Sequence, residues 1–290
     1  MKLTQLSALV AAAVLSMSAN AEPFYLTVPD GSSDGTTAVA YQFGVNFNAL
    51  STYTDDDTSY DGTNAFTFAS LGDSVVDTGF GKVDTLLKSD GTSWAGSGNT
   101  EGLNADWSLS FEYTINGYVA VVDNSGVLSG SQGIGVLYGS NNAAGTNLIS
   151  IYYDVLDANG DPILASRKLV LNLNVEDSTG TIGNVVLASG VDFTGVDAIA
   201  EDMFFFADGT NWYDLWLDGQ PIPDIEIAAR VDTNIDPQDI PTVNPDGTAS
   251  RSNTLNGSVE FNRIPEPGSL ALLGLGLMGL GLGRRYVKQG

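Results

Sequence analysis

The sequence predicts an all-β fold, an antiparallel β-sandwich of jelly-roll-like form, on three observations. Apolar residues alternate with polar ones at period two along several stretches. Clusters of Gly, Asp, Asn and Ser separate these stretches; Gly occurs 34 times, and Asp far outnumbers Glu. Such residues supply the positive φ and side-chain-capped turns that hairpins need. Helical periodicity is nearly lacking, its one suggestion lying around Val196 to Met203.

Taken in order, a weak strand signal near 24–28 precedes Val39, Tyr41, Phe43, Val45 and Phe47, which share one face. After a weak stretch at 64–69, Trp107, Leu109, Phe111, Tyr113 and Ile115 alternate with polar residues, and 118–122 and 133–138 follow as shorter candidates. Ile149, Ile151, Tyr153 and Val155 form a third clear case, and Leu169, Leu171, Leu173 and Val175 a fourth. Weaker candidates lie near 182–188, 203–206, 212–217 and 225–231. Segment 232–254, with Pro237, Pro241 and Pro245, reads as a long loop or linker. Leu255, Gly257, Val259 and Phe261 then make the last strand. One buried and one wet face per strand suits antiparallel sheets packed face to face. The expected organisation is one all-β extracellular domain over 22–263.

Composition excludes much chemistry. With no His and no Cys there is no Ser-His-Asp triad, thiol nucleophile, imidazole or thiolate zinc site, or disulfide. A net charge of −24 argues against a nucleic-acid partner, whose phosphates require clustered Lys and Arg. With 43% apolar residues the chain can nevertheless bury a core.

The two ends read as addresses. Lys2, the apolar stretch Leu6 to Met17 and the small-x-small run Ala19-Asn20-Ala21 fit a signal peptide over 1–21, cleaved before Glu22. At the other end Pro265-Glu266-Pro267 precedes an apolar, glycine-rich run, followed by Arg284 and Arg285. As a helix, residues 268–283 would span about 24 Å, short for a hydrocarbon core of about 30 Å. The Arg pair would stay cytoplasmic and leave the acidic body outside. Four of the eleven basic residues lie in these ends, so the body keeps seven beside all 35 acids, a net charge of −28.

This tail resembles the PEP-CTERM sorting signal of Gram-negative bacteria. The resemblance implies export through the Sec machinery and recognition by an exosortase at the inner membrane. It also implies removal of the helix and delivery of the body to the cell surface or the medium. Pro265, Glu266 and Pro267 would be the recognition motif and Arg284 with Arg285 the stop, all substrate residues of another enzyme. More loosely, Arg230-Val231-Asp232-Thr233-Asn234 and Ser250 to Val259 are similar to the end of flocculation-associated PEP-CTERM proteins, a family linked to exopolysaccharide-dependent aggregation.

Three kinds of site are open to the body. Asp157, Asn159 and Asp161 begin an EF-type loop and make the candidate for structural Ca²⁺, although Pro162 and Lys168 stand where Gly and Glu should complete it. Asp55-Asp56-Asp57 with Asp61, and Asp232 to Asp236, supply further oxygens. For a lectin-like module the candidates are Trp94, Trp212 and Tyr213, whereas Trp107 alternates inward and belongs to the core. A glycosidase would need two spaced carboxylates, for which Glu112 and Glu226 are the strand-borne choices. Nothing fixes their separation. The expectation is therefore a non-enzymatic structural or adhesive protein associated with extracellular polysaccharide in biofilm or floc.

Overall fold

A computed structural model describes residues 21–29, 35–56, 72–123, 132–139, 147–181, 184–218, 227–234 and 242–263. The proposed signal peptide before Ala21, the strand candidate at 64–69 and the apolar tail 268–283 lie outside them. Among the described residues no helix is long and apolar enough to cross a membrane.

The described residues form twelve strands: β1 (Phe24–Leu26), β2 (Gln42–Thr54), β3 (Ser74–Leu87), β4 (Trp107–Asp123), β5 (Gln132–Tyr138), β6 (Leu148–Val155), β7 (Lys168–Thr181), β8 (Asn184–Asp192), β9 (Phe204–Phe206), β10 (Ile227–Asn234), β11 (Thr242–Val243) and β12 (Thr248–Arg263). All pairings are antiparallel. Ten strands form one sheet in the order β10-β8-β7-β6-β4-β3-β2-β12-β11, with β5 beside β4. Because β10 also pairs with β12, that sheet closes into a ring.

This differs from the expected sandwich. Period-two alternation says which side chains face inward, but not whether the ends of the sheet meet. Closure comes from β12, whose length lets it pair with β2 from Thr248 to Glu260 and with β10 from Gly257 to Arg263. Both its edges are used, which removes the open edge that a sandwich would leave. The two stretches that suggested the flocculation-associated family meet at this seam, Asp232 opposite Ser258 and Val231 opposite Val259.

Strand β3 carried no clear alternation in the sequence. Its inward positions run Val75, Asp77, Gly79, Gly81, Val83, so small and polar residues hide the period. The glycines have a packing reason. A Cβ at Gly79 would lie 2.4 Å from the Tyr113 ring and from the Asn48 carbonyl oxygen, and one at Gly81 would lie 2.5 Å from the Phe47 Cβ. Aromatic rings from neighbouring strands thus pass over a stretch of bare backbone.

One end of the ring is plugged by β1, β9 and a short helix, Trp212–Asp218. Trp212 is the hub, with ring centroids 4.8 Å from Phe261, 5.1 Å from Phe206, 5.4 Å from Phe204 and 5.6 Å from Phe24. The helix corrects the strand expected at 212–217. A spacing of four puts Trp212 and Trp216 on one face of either structure, so periodicity did not discriminate. What decides is Asn211, whose Oδ1 accepts the Tyr213 N–H at 2.7 Å and caps a helix. The helical suggestion near 196–203 corresponds to a single 3-10 turn, Ala198–Asp202, capped by Asp197. Segment 232–254 is not all loop, since β10, β11 and β12 take up part of it. The opposite end of the ring holds a smaller cluster of Tyr53, Val75, Val119 and Ala249.

At the plug, Glu22 and Arg263 tie the start and finish of the described body together. The Glu22 N–H donates to the Phe261 carbonyl at 3.0 Å. Arg263 bonds the Glu22 carboxylate, donates to Asp208 at 2.8 Å and lies 4.5 Å from the Phe206 ring centroid. Among the described residues, Asp208 opens one of three Asp-Gly-Thr turns of common design. In Asp90-Gly91-Thr92, Asp208-Gly209-Thr210 and Asp246-Gly247-Thr248 the Asp Oδ1 accepts the Thr N–H at 2.9, 3.0 and 3.1 Å, and the glycine takes positive φ. The Thr hydroxyl first and then the Thr N–H hold the Asp90 and Asp246 carboxyls below their ordinary range, and the Thr210 N–H together with Arg263 holds Asp208 at about 2.

Candidate functional site

The outer wall of the ring carries an open groove of about 610 Å³ across β12, β2, β3, β4 and β6. Strand register builds it in rows. Ser252, Leu50, Thr78, Thr114 and Leu148 lie side by side across the five strands, and Thr254, Asn48, Phe80, Glu112 and Ser150 form the next row. Phe80 stands at the centre of its row, 62% exposed, with Leu50 at 44%. Around them are hydroxyls and amides: Thr254 Oγ1 donates to Asn48 Oδ1 at 2.9 Å, and Ser150 Oγ donates to Asn172 Oδ1 at 2.9 Å.

At the β6 rim Arg167 organises the charges. Its guanidinium stacks 3.9 Å from the Tyr152 ring centroid, donates to Glu112 at 2.8 Å and sits 3.7 Å from the buried Asp154. Asp154 in turn accepts from Ser110. The carboxylate of Glu112 is therefore neutralised where it meets the groove. Arg167 covers one face of Tyr152, and Phe80 is the most exposed aromatic ring that lines the groove.

The lumen is a different environment. A cavity of about 60 Å³ lies among Phe47, Phe111, Ile151, Leu173, Leu187 and Val259, far below the roughly 300 Å³ at which small-molecule sites begin. Asp77 is its charged residue, and it is well satisfied. Ser51 Oγ, Tyr113 Oη and Tyr138 Oη donate to its carboxylate at 2.7, 2.9 and 3.1 Å. Burial first, and then the Asp77 charge, push the Tyr113 and Tyr138 phenols above their ordinary value. Ser178 joins β5 to β7 nearby, accepting the Tyr138 N–H at 2.6 Å and donating to its carbonyl at 2.9 Å.

The residues singled out by sequence do not converge. Trp212 is fully buried in the plug, which removes it as a stacking surface. Tyr213 is half-buried and packs edge-on against Phe193 at 5.6 Å. Trp94 donates Nε1–H to the Val39 carbonyl at 2.9 Å, and Lys88 Nζ sits 4.6 Å over its ring. Asp157 Oδ1 accepts the Asn159 and Asp161 N–H groups at 2.8 and 3.0 Å, so it caps its own turn, and these bonds lower its pKa. Asp56 likewise accepts the Ser74 N–H at 2.7 Å, while Asp57, Asp61 and Asp236 lie outside the described residues. Among the described residues no group of three His, Cys, Asp or Glu side chains is placed to hold a metal ion. Glu112 lies in the groove, and its suggested partner Glu226 is outside the described residues. Sequence reasoning missed Phe80, Leu50 and Tyr152. Their signal is an apolar residue out of phase with the inward set of its own strand.

Residues 263–285 match the family model of the PEP-CTERM protein-sorting motif. The chain carries a PEP-CTERM protein-sorting motif at this end. The motif indicates exosortase-dependent sorting of an exported, membrane-processed protein, with an exosortase as its processing partner. Its first residue, Arg263, is also the last residue of β12 and the hub of the Glu22 clamp, so the matched segment begins where the ring ends. Pro265, Glu266, Pro267, Arg284 and Arg285 fall inside the match, beyond the described residues. Comparison with curated proteins and with solved structures gave no match.

Proposed function

We propose that this protein is a non-enzymatic structural or adhesive component of an extracellular polysaccharide matrix in a Gram-negative bacterium. After export and signal-peptide removal before Glu22, the apolar tail tethers the chain in the inner membrane. An exosortase then reads Pro265-Glu266-Pro267 and separates the body, about 22–267, from its helix. The observation that carries this reading is the sorting motif at 263–285, which begins on the last residue of a closed ring. The ring supports it in physical terms: closure protects strand edges from aggregation, and a charge of −28 keeps the body soluble and repels its copies.

The test is deletion of 264–290 followed by fractionation into membrane, surface, matrix and medium. The reading expects the full chain in the matrix fraction and the deletion product in the periplasm or released to the medium. Equal recovery of both forms from the matrix would refute the sorting step. Recovery of neither form there, despite export, would refute the matrix role.

A further inference from the structure

From the groove on the outer wall we infer a binding site for an uncharged polysaccharide chain, with Phe80 as the stacking platform. This inference rests on the matrix reading above and gives it a site.

The chemistry of the lining selects the ligand class. A sugar ring offers a C–H face that packs on an aromatic ring, and a rim of hydroxyls that exchange hydrogen bonds with short polar side chains. The groove provides both: Phe80 stands exposed at the centre, with Thr78 on its own strand and Asn48, Thr114, Ser150 and Ser252 on the strands to either side. Strands in a sheet lie about 4.8 Å apart, so this polar lattice repeats on the scale of a pyranose ring. Five strands give room for a chain of several sugars rather than one.

Charge narrows the class further. Glu112 is the only ionisable group in the lining besides tyrosines, and Arg167 holds it in an ion pair at 2.8 Å. Arg167 itself is engaged by Glu112, Asp154 and Tyr152. Lys82, one register row away opposite Ser110, is set against the charge of −28 over the body. An acidic polysaccharide would meet net repulsion; an uncharged one would not. The apolar area, Phe80 with Leu50 and Leu148 separated by hydroxyls, is too interrupted for a protein interface, whose core is continuous.

The experiment is affinity electrophoresis of the purified exported protein through native gels containing hydroxyethylcellulose, dextran or galactomannan, with polygalacturonate as the charged counterpart. The expected result is retardation by at least one neutral polymer, reduced about tenfold in apparent affinity by Phe80→Ala and kept by Phe80→Trp, with unchanged near-UV circular dichroism. Retardation that Phe80→Ala leaves intact, retardation by polygalacturonate alone, or none with any polymer overturns the inference. The same proteins are then mixed with the bacterium's own extracellular matrix and sedimented. If wild type and Phe80→Ala both co-sediment, the groove is wrong and the matrix role stands. If wild type does not co-sediment, the matrix role itself fails.

Discussion

Trp212 and Phe80 sit at opposite extremes of the same molecule. Trp212 is 0% exposed at the hub of the plug, ringed by four phenylalanines, whereas Phe80 is 62% exposed on the outer wall with polar neighbours. By residue type Trp212 is the better sugar platform and Phe80 an ordinary strand residue. The difference teaches that phase, not type, decides. Trp212 belongs to a helix that turns it into the core; Phe80 stands in β3 on the face away from Val75 and Val83.

The comparison breaks most readily at the plug. Trp212→Ala should cost about 3–5 kcal/mol of stability, as for other buried large aromatics, and be read as a large loss of melting temperature. Phe80→Ala should stay within about 0.5 kcal/mol, because little of its area is buried. Similar losses for the two would mean that the wall and the plug are not as different as their exposures say.

The same contrast accounts for what could be read from the sequence. The inward faces of β2, β4 and β6 were legible because large apolar residues occupied most alternate positions; in β7 the alternation holds from Leu171 to Val175, but Val170 is buried and Leu169 only partly so where the register with β6 shifts. Strand β3 was not legible, since Asp77, Gly79 and Gly81 take inward places, justified only by rings and hydroxyls from other strands. The closing of the sheet was equally hidden, because the β10–β12 pairing joins residues whose local pattern is the same in a sandwich. The sorting tail was legible because it is a linear signal. The groove was not, as its rows exist only once register brings Asn48, Phe80 and Glu112 abreast.

Next in size is the lumen. Asp77→Ala would leave three hydroxyls without their acceptor, and a loss of about 1–3 kcal/mol is expected. Denaturant unfolding of the variant checks this, and a loss below 0.5 kcal/mol would show that the buried carboxylate does not organise that end of the ring.

Titration separates wall from lumen more finely. Tyr113 and Tyr138 have raised phenol pKa values in the folded state, so the stability they contribute is present below the ordinary phenol value of 10.0 and is lost as pH rises above it. Melting temperature should fall above pH 10, and Tyr138→Phe should flatten that fall. On the acid side, the lowered carboxyls of Asp90, Asp208 and Asp246 contribute above the ordinary carboxyl value of 3.8 and lose that contribution as pH drops, for Asp208 towards about 2. Solvent screens these exposed turns, so the acid effect should be the smaller one. Arg263→Ala, which opens the half-exposed clamp to Glu22 and Asp208, should likewise cost no more than about 1 kcal/mol in a melting experiment.

The proposed function stands on a tail that is an address and a body that is the cargo. Its most direct measurement is the intact mass of the protein recovered from the cell surface and the medium. The predicted result is a chain that starts at Glu22 and ends close to Pro267, without the apolar segment or the Arg284-Arg285 pair. A mass that still includes residues 268–290 in every extracellular form would contradict it.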